Sequence, residues 1–120
     1  MRQLLYSVKI MHELGIVHRD LKLENIMWDH SEIRVIDFGL STLLTAEKLN
    51  CLVGTPHYIA PEIIDQSYDE KCDIWAIGVI AYQLFSLGEF PFDAPGEIQI
   101  YKTIKRQQLY LPTSKNDISP

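Results

Sequence analysis

A chain of 120 residues, 47% hydrophobic and 22% charged, can bury one core but is too short for two ordinary domains. That composition excludes wholesale disorder, and eleven Lys/Arg against sixteen Asp/Glu leave a net charge of −5 with no basic block. Sequence-independent nucleic-acid binding is therefore not expected. Cys51 and Cys72 form no CxxC pair, which leaves both a disulfide framework and a structural zinc site unsupported. The expected setting is reducing, in the cytoplasm or nucleus. Residues 1–9 lack a signal-peptide core, and the most apolar run, 74–87, contains Gln83 and Ser86. A bilayer span needs about 20 apolar residues. That run reads as a buried core helix, and no membrane partner is expected.

In chain order, Met1, Leu4, Leu5, Val8, Met11 and Leu14 recur at helical spacing and predict a helix over 1–14 that stops at Gly15. The next segment, 16–20, is too polar for a strand. Two short apolar runs, 25–28 and 33–36, flank the turn-prone residues 29–32 and predict a β-hairpin. From 37 to 62 no period is sustained, and a loop of that length is suspect for function. A short helical turn is expected at 63–66. Asp73 is then read as the cap of an apolar helix that runs to Leu87 and ends at Gly88. A last helix, 97–107, presents Ile98, Tyr101 and Ile104, and the polar tail 112–120 reads as frayed. The predicted class is mainly α with one short hairpin.

Chemistry concentrates in His18-Arg19-Asp20-Leu21-Lys22-Leu23-Glu24-Asn25 and in Asp37-Phe38-Gly39. The hairpin places Asp20, Lys22 and Asn25 at one mouth and Asp37 at the other end of its second strand. Oxygen donors such as those of Asn25 and Asp37 suit a hard cation like Mg²⁺ that bridges phosphates. Asp20 could accept a proton from a hydroxyl nucleophile, while Lys22 balances charge on a transferring group. Taken singly, Asp20 and Asp37 read more readily as turn caps. Together with Ala60-Pro61-Glu62 they form the spaced signature set of protein kinases.

The chain thus resembles the C-terminal lobe of a eukaryotic protein kinase, as a partial kinase domain over 1–120 with the N-terminal lobe absent. The resemblance implies ATP- and Mg²⁺-dependent phosphorylation of protein Ser/Thr. It makes Asp20 the catalytic aspartate, Lys22 the neutraliser of the γ-phosphate, and Asn25 and Asp37 the metal ligands. The nucleotide-facing set is Lys22, Glu24, Asn25, Met27 and Asp37, with Met27 beneath the adenine. A plain core methionine is the alternative for Met27. Thr55, in Gly54-Thr55-Pro56, is expected to contact Asp20 and Lys22, a pattern of the serine/threonine class. By the same resemblance His18 and Phe38 stack, Asp73 hydrogen-bonds the catalytic loop, and Trp75, Ile80 and Leu84 anchor the core.

Val35-Ile36-Asp37-Phe38-Gly39-Leu40-Ser41 and Tyr68-Asp69-Glu70-Lys71-Cys72-Asp73-Ile74-Trp75 are similar to the calcium/calmodulin-dependent group, especially its calcium-dependent kinases. That implies calcium or calmodulin regulation through regions outside this chain. Glu24 stands where such kinases bind an arginine upstream of the phosphoacceptor. Gln83 replaces a second acid found in some of them. Cys51, four residues before Thr55, occupies the place of an activating phosphothreonine that would pair with Arg19, and is read as a partly buried, inert thiol. The sequence shows no Gly-rich phosphate loop, no Val-Ala-x-Lys strand and no arginine partner for Glu62. The chain alone is therefore expected to be inactive. The alternative function is a catalytically incompetent kinase-like module that binds a partner.

Overall fold

The computed structural model describes residues 1–107, so the expected tail lies outside the described residues. Helix α1 spans Arg2–Glu13 and buries Leu4, Val8 and Met11. Met1, Leu5 and Leu14, assigned to the same stripe by spacing, are exposed, because three buried positions complete the face that meets the core. Gly15, at φ 77°, turns the chain, and its carbonyl accepts from Leu44 N–H at 2.7 Å.

Strand β1, Ile16–Val17, follows where the polar composition argued against one. Strands β2 (Ile26–Asp29) and β3 (Glu32–Val35) form the expected hairpin, with Ile26 opposite Val35 and Asp29 opposite Glu32. Its turn is tighter than predicted: only His30 and Ser31 remain, with His30 at φ 56°. Strand β4, Thr42–Leu43, lies inside the segment read as a loop and pairs antiparallel with β1. The pairing is two residues long, Ile16 with Leu43 and Val17 with Thr42, too short to show an alternating pattern, and Val17 is fully buried.

The rest of that segment is also tied down. Leu49 bridges Tyr68, and Pro56–Tyr58 form a 3₁₀ turn. Helix α2, Pro61–Ile64, starts two residues early because proline's fixed φ suits a first helical position. Helix α3 spans Lys71–Phe85. Asp73 is therefore not its cap but sits within its first turn. Residues 74–87 are not uniformly buried: Ile77 and Ile80 are, whereas Leu84, Phe85 and Leu87 are exposed. Helix α4, Glu97–Arg106, buries Ile100 and Ile104, four apart, and turns Ile98 to solvent. No helix among the described residues is long and apolar enough to cross a membrane.

Among the described residues the core consists of three apolar clusters. Leu4 and Val8 of α1 pack with Leu21, Ile77 and Ile80. Val17, Ile59, Ile63, Tyr68 and Cys72 form a second group, and Phe92, Ile100 and Ile104 a third. Trp75 packs against all three and stacks on Phe92 at 5.6 Å, which places one indole at the junction of the domain.

Candidate active site

The loop between β1 and β2 is built from behind by Asp73. Its Oδ2 accepts from the backbone N–H of His18 at 2.9 Å, and its Oδ1 from that of Arg19 at 2.9 Å. His12 Nε2, from α1, lies 2.9 Å from Oδ2. Asp73 is 1% exposed, so a carboxylate this deep requires such a set of donors. They hold Arg19 at φ 70°, in the left-handed region that a non-glycine residue enters only when its surroundings enforce it.

His18 carries the order forward. Asp20 N–H donates to its Nδ1 at 3.1 Å, so the ring proton sits on Nε2, 3.0 Å from the Ile36 carbonyl. One imidazole thereby links the loop before β2 to the exit of β3. Its edge meets the ring of Phe38 at 4.9 Å. Ile36 N–H in turn donates to the Asn25 carbonyl at 2.9 Å. In an antiparallel pair the far end of the second strand is the open end of the hairpin, so Asp37 emerges beside Asn25.

Asp20, Lys22 and Thr55 meet directly. The Thr55 hydroxyl donates to Asp20 Oδ1 at 2.8 Å and accepts from Lys22 Nζ at 2.9 Å. Lys22 Nζ also stands 3.9 Å from Asp20 Oδ2. Gly54 makes the approach possible: a Cβ there would fall 2.9 Å from the Arg19 carbonyl oxygen. Asn25 is buried, and its amide donates to the Asp20 carbonyl at 2.9 Å, leaving the side-chain oxygen available. Asp37 sits at φ 59° with an exposed carboxylate, one oxygen of which accepts from Gly39 N–H at 3.2 Å. Two hard oxygen donors at one mouth suit Mg²⁺ that draws its remaining ligands from phosphate and water. Consistent with so few donors, no group of three or more His, Cys, Asp or Glu able to hold a metal occurs among the described residues.

Met27 is 51% exposed on β2, which excludes the core reading for it. Glu24 is exposed and close enough to Tyr58 that its charge, after burial, raises the tyrosine's pKa. Leu84, expected in the core, lies on the surface at 56% exposure. Cys51 is exposed rather than partly buried. Cys72 is the inert thiol: burial first, then the Asp73 charge, push its pKa well above the ordinary thiol range. Glu62 makes no ion pair among the described residues.

Four contributors escaped sequence reasoning. His12 reaches Asp73 across 61 positions, and nothing in a helical stripe marks it. Tyr58 donates to Gln83 at 2.7 Å, and the adjacent His57 pairs with Asp93 at 2.9 Å while stacking on Phe90. Tyr68, whose hydroxyl touches both Arg19 and Cys51, is the fourth. A polar group embedded in an apolar run was the only signal for Tyr58, while Tyr68 stood only as the first residue of a family motif, with no partner assigned to its hydroxyl.

Residues 1–119 match the family described as protein kinase domain. The chain is 44% identical over 110 residues to calcium-dependent protein kinase 4 of Plasmodium falciparum, covering 87% of this chain and 21% of that protein. It is 43% identical over 111 residues to CDPK-related kinase 3 of Arabidopsis thaliana, with 88% and 18% covered. A probable serine/threonine-protein kinase, PLK, of Dictyostelium discoideum is 41% identical over 113 residues, with 92% and 12% covered. The chain spans about a fifth or less of the length of these relatives.

Proposed function

The chain belongs to the protein kinase family, and from that premise we propose that residues 1–120 form the C-terminal-lobe floor of a serine/threonine kinase site. The observation that carries this reading is the Thr55 hydroxyl lodged between the Asp20 carboxylate and the Lys22 ammonium. Such a contact fixes a base and a cation before any substrate arrives. Kinase catalysis consists largely of this kind of positioning and electrostatics.

In the proposed reaction Asp20 orients the Ser or Thr hydroxyl of a protein substrate. It takes the proton as that oxygen forms its bond to the γ-phosphorus of ATP and the bond to the leaving diphosphate breaks. Lys22 offsets charge on the transferred group. Asn25 and Asp37 would hold Mg²⁺, which when bound screens the phosphate charges. Met27, exposed on β2, would supply an apolar surface under the base, and Glu24 a carboxylate at the nucleotide-facing edge. Glu24 also gives a counter-charge for an arginine upstream of the acceptor, a preference that a peptide array reads directly. The partner is thus a protein, met in the cytoplasm or nucleus, rather than nucleic acid or membrane. A calcium response, which the name of the Plasmodium falciparum relative carries, we assign to regions outside these residues.

The test is Asp20→Asn in the full-length protein. Turnover of a Ser/Thr peptide with Mg-ATP is expected to fall about 10²-fold or more, with nucleotide affinity retained. Wild-type turnover in that variant would overturn the assignment. An inactive wild type would favour the binding-module alternative.

A further inference from the structure

Tyr68 is 1% exposed, its ring packed with Val17, Ile59 and Ile63, yet its hydroxyl reaches two polar partners. It donates to the Cys51 carbonyl at 2.6 Å and accepts from an Arg19 guanidinium nitrogen at 3.2 Å. Arg19 Nε donates to the Leu40 carbonyl at 2.7 Å. The Tyr68 backbone exchanges two hydrogen bonds with Leu49, at 2.8 and 3.0 Å. One arginine and one tyrosine thus hold the segment between β3 and α2 at residues 40, 49 and 51. Beyond Cys51 the chain runs through Gly54, pressed against Arg19, to Thr55 on Asp20.

A guanidinium beside a catalytic loop is a natural partner for a phosphate, but the thiol at position 51 cannot accept one in place of threonine. We propose that Tyr68 is a positioning residue that substitutes for a phosphate, relaying Arg19 to the Cys51 backbone so that the segment stays ordered unphosphorylated. A neutral hydroxyl suits this relay because it donates and accepts at once. Burial, the main influence on the Tyr68 hydroxyl, keeps it protonated by raising its pKa. Its effect on chemistry passes through Thr55 and so rests on the kinase reading, whereas the ordering itself does not.

The experiment compares full-length, phosphatase-treated wild type with Tyr68→Phe, which keeps the ring and removes only the relay. Two quantities are read: the rate of tryptic cleavage after the exposed Lys48, and peptide turnover. Losing two hydrogen bonds, one to a charged donor, is expected to speed cleavage about tenfold and to lower kcat. Adding Cys51→Asp to Tyr68→Phe returns an anion to the neighbourhood of Arg19 and is expected to slow cleavage again, which a purely structural tyrosine would not allow. If Tyr68→Phe fails to fold, Arg19→Lys, which keeps the charge but loses the fork, is expected to speed cleavage in the same way. Unchanged cleavage in the folded variant, no slowing by Cys51→Asp, or wild-type activity abolished by phosphatase each overturns the proposal. A wild type without turnover sinks the kinase reading alone, since the cleavage rates still decide the relay.

Discussion

Behind the loop that bears Asp20, the carboxylate of Asp73 is 1% exposed and meets three nitrogens. In front of it the carboxylate of Asp37 is exposed and meets one. The two groups are chemically alike and belong to one site, yet their surroundings divide the work. The rear is closed by the chain's own donors, so its free energy goes into fixing a conformation. The front keeps acceptors open, along with Met27 and Phe38 at 51% and 44% exposure. Substitutions behind should therefore unfold the protein, whereas those in front should spare the fold and remove function.

The largest expected effect is at Asp73. Replacing it by Ala strands the His18 N–H in the interior and the part-buried Arg19 N–H beside it, and is expected to cost about 3–5 kcal/mol in denaturant unfolding. A loss under about 1 kcal/mol would break the comparison. Next, on α3, Ile80→Ala is expected to cost about 2–4 kcal/mol, since it leaves a cavity beside Leu4 and Val8 of α1 and Leu21 of the loop that bears Asp20. Leu84→Ala, one turn further and half exposed, is expected to cost less than about 1 kcal/mol. At the front, Asp37→Ala should change stability by under about 0.5 kcal/mol while abolishing peptide phosphorylation by the full-length protein. A large stability loss there would show that Asp37 is structural after all.

The smallest effect is acidic. The Lys71 backbone N–H, then Lys48, hold the Asp69 carboxyl below its usual 3.8. A depressed folded-state pKa stabilises above pH 3.8 and loses that contribution as pH falls through the folded value. Wild type should therefore exceed Asp69→Asn by a few tenths of a kcal/mol at neutral pH, and the gap should close below about pH 3.8. A gap that persists at lower pH would contradict the shift.

How much of this was legible depended on the range of the interaction. The hairpin could be read because alternating residues and turn chemistry lie within a dozen positions. Helix α1 could be placed, but not its exact buried face, because a 3.6-residue period leaves Leu5 and Leu14 at the margin of the stripe. Ile98 was misread for the same reason: spacing three and spacing four diverge within one turn, and Ile100 took the inward place. Strand β1 was hidden because its partner lies far along the chain in a segment with no period. Within the site, Asp20, Lys22 and Asn25 stood out as a dense cluster. Thr55 was singled out only through the family resemblance, Tyr68 only as part of a family motif with no role, and His12 not at all, because their partners are set by tertiary packing.

The reach of Asp73 has one more consequence, in the order of folding. Its partners precede it by 61, 55 and 54 residues, so no local segment can assemble the loop that bears Asp20 by itself. The backbone hydrogen bonds of helix α1 and of the hairpin are short-range and can begin to form while the chain is still emerging from a ribosome, although the buried face of α1 also waits for α3. Arg19 at φ 70° has no reason to leave the ordinary right-handed region until α3 arrives. The loop that would do the chemistry is thus among the last parts of the molecule to take shape. A nascent chain halted before residue 73 has emerged would carry every residue from His18 to Asn25 and still hold no site.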